Sequence, residues 1–457
     1  MSTLGGDLRA IIGDESRVIA ENIPHAYQSD KLGRKTGHAE AVVIAKSTEE
    51  VSEVLRYAYD RRIPVTPSGA GTNLVGATVP DKGGIIIDVS QMNRILELDR
   101  ETLTVTVEPG IRLMDLAAFV ESEGLFYPPD PGDREASIGG NISTNAGGMR
   151  AVKYGVTRDY VRALEIVQAD GTVLTVGSKN VKDTTGLNLK QLFIGSEGTL
   201  GIITRATLRL VALPESQVSV LCAFPDLETG IRAVPEILGA NVNPVALEFM
   251  ERNVVKLGED FLNIRYPRQD AGSYLLLSFD GHKEEVENAI GKLEDLLKTC
   301  GVLEVLPLEK KQSEDIWKVR GALVKSVEAV SEQEPLDIVV PISETARFVK
   351  FVNELSEKCG MQMISFGHAG DGNVHLCVVR GNRSAEAWNT ELDRNLTELY
   401  DGVYRMHGLI SGEHGLGLSK RKYFFAHTPE ANVRMMNAVK DALDPRHILN
   451  DGKSYIR

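Results

Sequence analysis

Three glycine-rich runs, each beside a strand-like segment, constrain this chain more than any other feature of its sequence. The runs occupy residues 67–76, 128–148 and 195–201. Glycine loses much conformational entropy on folding, so it is kept where the backbone must turn sharply or approach a ligand closely. One such run fits a tight structural loop as well as it fits a binding site. The three together indicate one long dinucleotide lying across a domain.

The first run begins with the sequence Pro67-Ser68-Gly69-Ala70-Gly71-Thr72-Asn73-Leu74. Its backbone N–H groups, together with hydroxyl and amide side chains, are suited to forming a nest for phosphate oxygens. The run is not a P-loop, because Gly71 is not followed by Lys and then Ser or Thr. It is also not the G-x-G-x-x-G motif that opens a helix in dinucleotide-binding folds.

The periodicity of apolar residues predicts an α+β fold. A capping box at Ser47–Glu50 precedes a helical pattern, and a hairpin is predicted with its turn at Asp170-Gly171. After Pro214, strand-like runs alternate with long, charged, amphipathic helices. From the length of 457 residues we expect more than one domain. The predicted segments are 1–214, 215–407 and 408–457.

Composition excludes several classes of function. The net charge of −13 disfavours a broad surface for nucleic acid or anionic membranes. The four cysteines form no C-x-x-C pair, so we expect no iron–sulfur cluster or zinc knuckle held by this chain alone. Few cysteines fit a reducing, cytoplasmic compartment. We predict no secretory signal in residues 1–10, and no stretch approaches the ~20 apolar residues of a membrane span.

Two histidines in the second half bracket a glycine-rich turn. His368 and His375 lie at the ends of Gly-Asp-Gly-Asn, between strand-like residues, and Glu413-His414 lies in another glycine-rich turn. From the residues alone, a metal site and two ordinary histidines are equally consistent with this pattern. Two histidines and one carboxylate suit Zn²⁺, Fe²⁺ or Mn²⁺ with positions left open for substrate.

On these motifs the chain resembles the FAD-binding domain of the vanillyl-alcohol-oxidase superfamily. The resemblance is carried by the three glycine runs, Tyr154-Gly155 and Arg158-Asp159, and it extends from about Pro24 to the C-terminus. Within the superfamily the chain is similar to the group of glycolate oxidase FAD subunits, D-lactate dehydrogenases and D-2-hydroxyglutarate dehydrogenases. The resemblance implies a two-part FAD-binding domain (1–214), an α+β cap domain for substrate (215–407) and a C-terminal segment that returns to the flavin (408–457).

The resemblance also implies which residues contact the flavin nucleotide. The expected FAD-binding residues are Pro67, Ser68, Gly69, Ala70, Gly71, Thr72, Asn73, Leu74, Pro131, Gly132, Ser137, Gly140, Asn141, Thr144, Asn145, Gly148, Gly155, Glu197, Gly198, Ile203 and Asn450. Some relatives attach the flavin through a histidine in or near the first run. The first run here contains neither His nor Cys, so we expect FAD to be bound non-covalently.

The same resemblance assigns catalytic roles in the second half. The expected metal ligands are His368, His375 and Glu413. His414 is expected to act as the base, and Asn373 is expected to contact the substrate. Arg320, in the segment Trp317-Lys318-Val319-Arg320, is expected to bind the substrate carboxylate through a bidentate fork. The alternative is a surface arginine on an amphipathic helix.

The implied reaction is oxidation of a small D-2-hydroxy acid to the 2-oxo acid, with hydride transfer to the flavin. The 2-hydroxyglutarate enzymes carry a threonine and a lysine where this chain has Val324 and Glu334-Pro335. A second substrate carboxylate would lose those partners. We therefore expect D-lactate or glycolate, with D-2-hydroxyglutarate as an alternative.

Two other classes of function remain open at this point. The superfamily contains flavin-dependent transferases and reductases, and it also contains paralogous subunits that lack the catalytic set. The histidines, Glu413 and Arg320 favour a dehydrogenase. Because this chain has no motif for an iron–sulfur cluster, we expect an external electron acceptor, either an electron-transfer flavoprotein or an iron–sulfur subunit. We expect a homo-oligomer or a hetero-complex.

Overall fold

The computed structural model describes residues 3–455, which form two compact units. The first unit contains residues 3–147, 156–213 and 413–455, and the second contains 148–155 and 214–412. The outermost residues of the predicted segments 1–214 and 408–457 lie outside the described residues. The positions of the predicted segment boundaries stay predictions.

Strands and helices alternate irregularly along the chain, which confirms the α+β prediction. The strands are β1 Val18–Ile19, β2 Ala41–Ile44, β3 Val65–Ser68, β4 Ile85–Asp88, β5 Ile95–Asp99, β6 Thr104–Val107, β7 Leu125–Phe126, β8 Val161–Val167, β9 Val173–Gly177, β10 Ile202–Arg209, β11 Val211–Ala212, β12 Ser216–Phe224, β13 Ala246–Glu251, β14 Ser273–Gly281, β15 Glu304–Pro307, β16 Gln333–Val339, β17 Met363–His368 and β18 Asn373–Val379. The helices are α1 Leu4–Ile12, α2 His25–Gln28, α3 Thr48–Arg61, α4 Leu113–Ser122, α5 Ile138–Thr144, α6 Ala151–Tyr154, α7 Lys190–Phe193, α8 Leu227–Gly239, α9 Arg252–Leu262, α10 Lys283–Leu297, α11 Lys310–Val330, α12 Thr345–Cys359, α13 Ala385–Arg405, α14 Arg421–His427 and α15 Glu430–Leu443. No helix within residues 3–455 combines the length and apolar character needed to cross a bilayer.

The first unit is built on two main sheets. One has the strand order β1-β2-β4-β3, in which β2, β4 and β3 are parallel, and the other is antiparallel with the order β5-β6-β10-β8-β9. Parallel strands need a crossover connection, and α3 supplies it between β2 and β3. Leu449 near the C-terminus forms a parallel bridge with Val65, so the end of the chain extends the first sheet beside the first glycine run.

The second unit is built on one antiparallel sheet with the order β15-β12-β14-β13-β17-β18-β16. Its central strands are buried on both faces, and α9 and α11 pack against one face over an apolar core that includes Ile316, Val319 and Leu323. The two histidines predicted as ligands lie on the neighbouring strands β17 and β18. Both strands have neighbours on each side, β13 beside β17 and β16 beside β18.

Local predictions from the sequence are confirmed where turn and capping chemistry is strong. Ser47 caps α3 by accepting a hydrogen bond from the Glu50 N–H (3.3 Å), as predicted. The reciprocal half of the capping box differs, because the Glu50 carboxylate accepts from the Lys46 N–H (2.8 Å) and not from the Ser47 N–H. The predicted hairpin is β8–β9, and Gly171 at its turn has φ = +83°.

The second glycine run differs from the expected loop, because residues 138–144 form the short helix α5. Ser137 caps this helix by accepting a hydrogen bond from the Gly140 N–H. A β-carbon at Gly139 would lie 2.6 Å from Pro109 Cβ, so this glycine permits close packing of the helix. The glycines of this run therefore serve helix packing as well as loop geometry.

A fully buried ion pair attaches α15 to the third glycine run. Lys440 Nζ donates to Asp444 Oδ2 (2.6 Å), to the Thr199 carbonyl (2.8 Å) and to the Leu449 carbonyl (2.7 Å), and neither charged side chain is exposed. A buried charge that loses its partner is strongly destabilising. This pair therefore stabilises both the third run and the C-terminal strand segment.

Replacing Lys440 with alanine is expected to lower the free energy of unfolding by about 3–5 kcal/mol, because the Asp444 charge would be left buried and uncompensated. Urea unfolding of the purified variant measures the effect. The matched control is Arg434→Ala on the same helix, because Arg434 and its partner Glu430 are both exposed. That change should alter stability by less than about 0.5 kcal/mol. Similar losses in the two variants would contradict the anchoring role of Lys440.

Candidate functional site

The three glycine runs meet in the first unit, as expected if they bind one ligand. A β-carbon at Gly69 in the first run would lie 2.5 Å from Ser137 Oγ in the second. A β-carbon at Gly198 in the third run would overlap Pro67 Cγ in the first. The Glu197 N–H donates to the Ser143 carbonyl at 2.7 Å, which joins the third run to the second. Glycine is favoured at these crossings because side chains of the neighbouring run occupy the space that a β-carbon would take.

Several polar side chains of the runs shape the loops themselves. Asn73 Oδ1 accepts hydrogen bonds from the N–H groups of Val75 (3.1 Å) and Ala77 (2.8 Å). Asn145 has φ = +51° at the end of α5, and its Oδ1 accepts from the Arg158 N–H at 3.0 Å. These hydrogen bonds fix the backbone turns around Asn73 and Asn145. Ala70 and Gly71, at the tip of the first run, are exposed.

Asn141 provides a test of whether the runs suit a polar ligand. Its side chain is 5% exposed, and its Nδ2 is buried without a hydrogen-bond partner among the described residues. An unsatisfied buried donor costs about 1–3 kcal/mol. A ligand rich in acceptor atoms would remove that cost, so the residues present fit the expected cofactor.

The other predicted FAD residues divide between the two units. Those in the first unit lie on the first run, before or on α5, and on β10, and they are Ser68, Thr72, Leu74, Pro131, Gly132, Gly140, Thr144 and Ile203. Gly148 and Gly155 lie at the two ends of the segment that belongs to the second unit. Their contacts with a cofactor stay predictions.

The Glu197 carboxylate has a structural partner. It is buried and accepts hydrogen bonds from the N–H groups of Leu416 and Gly417, both at 2.9 Å. Burial raises the pKa of Glu197 above its usual value, although these two N–H groups and Lys420 partly oppose the shift. This carboxylate therefore holds the glycine-rich turn that directly follows His414.

Asn450 is held in place by protein groups on both sides of its amide. Its Nδ2 donates to the carbonyls of Ala77 (3.0 Å) and Glu197 (2.7 Å), and its Oδ1 accepts from Lys453 Nζ (2.8 Å). Burial lowers the pKa of Lys453 to about 8, with Asp81 opposing the shift. The Asn450 side chain thus joins Ala77, the residue after the first run, to the third run. Its direct contact with flavin stays a prediction.

In the second unit, the hairpin β17–β18 brings His368 and His375 together. Their Nε2 atoms lie 3.2 Å apart, and the rings are nearly perpendicular, at 84°. Two imidazole nitrogens bound to one ion at about 2.0–2.1 Å lie roughly 2.9–3.4 Å apart in octahedral or tetrahedral geometry. The two histidines therefore fit a shared metal ion.

The other nitrogen of His368 is held by a carboxylate. Glu248, its cross-strand neighbour on β13, lies with its two oxygens 2.7 and 2.9 Å from His368 Nδ1. The Glu248 side chain has no exposed surface. Burial alone raises the pKa of Glu248, but its interactions with His368 and Arg320 outweigh burial and leave the pKa below its usual value.

Arg320, from α11, binds the same carboxylate. Its Nε donates to Glu248 Oε2 at 2.8 Å, and its Nη2 lies 2.6 Å from that oxygen at an angle too poor for a hydrogen bond. Its guanidinium carbon lies 5.4 Å from the centre of the Phe366 ring. Arg320 is 8% exposed, which excludes the alternative of a surface arginine.

A second buried carboxylate, Asp337 on β16, organises the neighbouring turn. Its Oδ1 accepts from Asn373 Nδ2 (2.8 Å), and its Oδ2 accepts from Ser411 Oγ (3.1 Å) and from the Gly412 N–H (3.0 Å). Asn373 Oδ1 is buried without a partner among the described residues. Asn373 therefore keeps one acceptor available for a ligand.

Glu413 follows Gly412 directly. Its α-carbon therefore lies about 3.8 Å from that of Gly412, whose N–H is bound by Asp337. In its own unit, a β-carbon at Gly147 would lie 3.1 Å from Glu413 Cγ, which places the Glu413 side chain against the second glycine run. His414 is half-buried in the same turn.

The sequence interpretation did not include Glu248 or Asp337. Each is a carboxylate between two apolar residues of a strand, in Leu247-Glu248-Phe249 and Leu336-Asp337-Ile338. Buried carboxylates are rare unless they are paired. An acidic residue with large apolar residues on both sides in a strand is the signal that could have identified both.

Two known protein families together match most of the chain. Residues 39–177 match the family of FAD binding domains, and residues 213–454 match the C-terminal domain of FAD linked oxidases.

Curated relatives align with nearly the whole chain. A D-lactate dehydrogenase of Anaerostipes hadrus is 40% identical, over 97% of this chain and 94% of the relative. The glycolate oxidase subunit GlcD of Bacillus subtilis (strain 168) is 37% identical, over 94% and 92%. A probable mitochondrial D-2-hydroxyglutarate dehydrogenase of Oryza sativa subsp. indica is 34% identical, over 97% of this chain and 80% of the relative.

Solved structures share the fold. A crystal structure of p-cresol methylhydroxylase with substrate bound has a TM-score of 0.82 at 17% identity and covers 99% of this chain and 96% of that one. A 4-ethylphenol oxidase from Gulosibacter chungangensis has a TM-score of 0.79 at 19% identity, over 98% and 96%. The fold is therefore the two-domain FAD-binding fold of the vanillyl-alcohol-oxidase type, and the chain belongs to the family of FAD-linked oxidases.

Proposed function

We propose that this protein is an FAD- and divalent-metal-dependent dehydrogenase that oxidises a small D-2-hydroxy acid to the corresponding 2-oxo acid. The observation that carries the proposal is the pair of Nε2 atoms of His368 and His375, 3.2 Å apart, with Arg320 bound to the same carboxylate as His368. The relatives named D-lactate dehydrogenase and glycolate oxidase subunit support this class of reaction.

The proposed metal ligands are His368, His375 and Glu413. Two imidazoles and one carboxylate suit Zn²⁺, Fe²⁺ or Mn²⁺. A divalent ion bound there would lower the pKa of a substrate hydroxyl at the open positions.

Arg320 and Asn373 are proposed to bind the substrate. Glu248 engages the Nε side of the Arg320 guanidinium, and no described residue accepts a hydrogen bond from its Nη1. That nitrogen can donate to the substrate carboxylate. The unpartnered Oδ1 of Asn373 can accept from a substrate hydroxyl. These two contacts would orient the α-carbon, which is the main contribution of the protein to a hydride transfer.

His414 is proposed as the base that takes the hydroxyl proton. Histidine is suited to this task because its ordinary pKa lies close to neutrality. The turn that begins at Gly415 is held through the Glu197 carboxylate, so the position of His414 is restricted on its C-terminal side.

FAD, held non-covalently by the three glycine runs, would accept the hydride. The flavin is proposed to contact the residues predicted from the sequence, with Asn141 Nδ2 as the clearest donor. Electrons then pass to an external acceptor, for which an electron-transfer flavoprotein or an iron–sulfur subunit is proposed. The four cysteines are free thiols, which is consistent with the predicted cytoplasmic location.

We propose a monocarboxylate substrate, D-lactate or glycolate. Val324 packs against the apolar core of the second unit and Pro335 lies within β16, so neither can bind a second carboxylate. The relative named D-2-hydroxyglutarate dehydrogenase makes D-2-hydroxyglutarate the second candidate.

Mixing the purified holoenzyme anaerobically with D-lactate or glycolate is expected to bleach the oxidised-flavin absorbance, whereas L-lactate should leave it unchanged. Prior treatment with a chelator should prevent the bleaching. In His414→Ala the rate of flavin reduction should fall by roughly 10²–10⁴-fold, the usual contribution of a general base. The rate is measured by stopped-flow absorbance.

The control for that experiment is His282→Ala, because His282 is exposed at the start of α10. It should reduce flavin at the wild-type rate. Undiminished bleaching in His414→Ala or after chelation would contradict the mechanism. If only D-2-hydroxyglutarate bleaches the flavin rapidly, D-2-hydroxyglutarate is the substrate instead of D-lactate or glycolate.

The change Gly198→Ala is expected to lower the FAD content several-fold after gel filtration. Gly198 has φ = +71°, and an added β-carbon would overlap Pro67, so the crossing of the first and third runs must open. The ratio of flavin to protein absorbance measures the content. Gly239→Ala is the control because a β-carbon there meets no atom within 4 Å. Full FAD content in Gly198→Ala would show that the crossing does not support the cofactor site.

The change Arg320→Lys is expected to raise KM for D-lactate by roughly 10-fold or more, because lysine keeps the charge beside Glu248 but loses the planar fork. The rate constant kcat should change less than KM. Steady-state kinetics measure both. Arg252→Lys is the matched control, since Arg252 pairs with the buried Glu259 elsewhere in the same unit. An unchanged KM in Arg320→Lys would exclude its proposed contact with the substrate carboxylate.

A further inference from the structure

We propose that Glu248 is a positioning residue that sets the geometry of the metal site and of the substrate-binding arginine at the same time. The inference rests on the proposed function, because it assumes that His368 holds an ion and that Arg320 binds the substrate. Glu248 itself touches neither the ion nor the substrate in this scheme. It acts only through these two side chains.

The contact with His368 determines which ring nitrogen carries a proton. An ionised carboxylate can only accept hydrogen bonds, so His368 Nδ1, 2.7 Å from Glu248 Oε1, must be the protonated nitrogen. In a neutral ring Nε2 then holds a lone pair, and it is this atom that faces His375. Ligating histidines commonly donate their second N–H to a carboxylate, which orients the ring and strengthens it as a ligand.

The contact with Arg320 determines which part of the guanidinium remains available. Glu248 Oε2 lies 2.8 Å from Nε and 2.6 Å from Nη2, on one side of the fork. The edge of the guanidinium formed by Nη1 and the outer N–H of Nη2 is left for a substrate carboxylate. Because the same oxygen also lies 2.9 Å from His368 Nδ1, movement of the carboxylate would displace both the ring and the fork.

The position of Glu248 leaves little freedom for this arrangement to relax. It lies on β13 directly opposite His368 on β17, and its side chain is fully buried between the sheet and α11. Water cannot replace a lost partner there. A change at residue 248 therefore affects the two functional side chains instead of being absorbed by solvent.

A purely structural role is the alternative, and the chain provides a matched pair that tests it. Glu259 on α9 is also buried and binds Arg252 Nη2 at 2.9 Å, but no histidine shares its carboxylate. Glu248→Gln and Glu259→Gln each neutralise one buried partner of an arginine. Only the first should affect the metal and the substrate.

The experiment compares both variants with wild type as full-length, FAD-loaded protein. Divalent-metal affinity is measured by competition with a chelator, KM for D-lactate by steady-state kinetics, and thermal midpoints by calorimetry. For Glu248→Gln we expect metal affinity roughly 10–100-fold weaker and a raised KM. For Glu259→Gln we expect wild-type metal affinity and KM, with a thermal midpoint lowered to a similar degree.

The outcomes separate this inference from the proposed function. Wild-type protein that binds no divalent ion, or that oxidises D-lactate equally well without one, would overturn the proposed function. Wild-type protein that binds the ion, together with Glu248→Gln that binds it equally tightly at unchanged KM, would overturn only the positioning role. Equal loss of metal affinity in both variants would assign Glu248 a general structural role and overturn the inference in the same way.

A second variant covers the case in which Glu248→Gln does not fold. Glu248→Asp keeps the buried charges compensated, but its carboxylate is withdrawn by one methylene and can no longer reach both partners. We expect Glu248→Asp to weaken metal affinity and to raise KM, each to a smaller degree than Glu248→Gln. Wild-type values for both metal affinity and KM in Glu248→Asp would contradict the requirement for a shared carboxylate.

Discussion

A carboxylate with no exposed surface must be matched by hydrogen-bond donors and positive charge, and the second unit is organised around one such group. Glu248 receives its partners from β17 and α11, two elements that are distant in sequence. Leaving an isolated carboxylate in an apolar interior would cost far more than one native contact supplies. The requirement to match this one charge therefore brings His368 and Arg320 to the same place. The proposed chemistry depends on that juxtaposition.

The first unit meets a different constraint, which is the close approach of its three glycine runs to one another. Three loops cross where glycine allows it, and Glu197, Asn450 and Lys440 fasten them to the C-terminal residues. Asn141, in the second run, keeps a buried Nδ2 without a partner among the described residues. An anionic, acceptor-rich cofactor is what this arrangement suits. In the proposed reaction the first unit would supply most of the FAD-binding residues together with Glu413 and His414, and the second unit would supply His368, His375, Arg320 and Asn373.

Part of the site could be predicted because it depends on neighbours in the chain. The Gly-Asp-Gly-Asn segment makes a tight turn, so His368 and His375 had to come close once their flanking residues formed strands. The glycine runs could be recognised for the same reason. The short helix α5 was missed, although Ser137 before it is a normal helix cap, because the glycines of that segment were interpreted only as loop residues.

The sequence by itself determined the α+β character, the three glycine runs and the pair of histidines, because turn chemistry and apolar periodicity act over a few residues. Only the tertiary structure decided what lies on the far side of His368. Glu248 is 120 positions away, and its pairing with His368 follows from the alignment of β13 with β17. No local propensity encodes a register between distant strands, since that register is set by packing of the whole sheet. The partners of Asp337 depend on the same long-range alignment, so the buried carboxylates could be noticed in the sequence, but their roles could not be assigned from it.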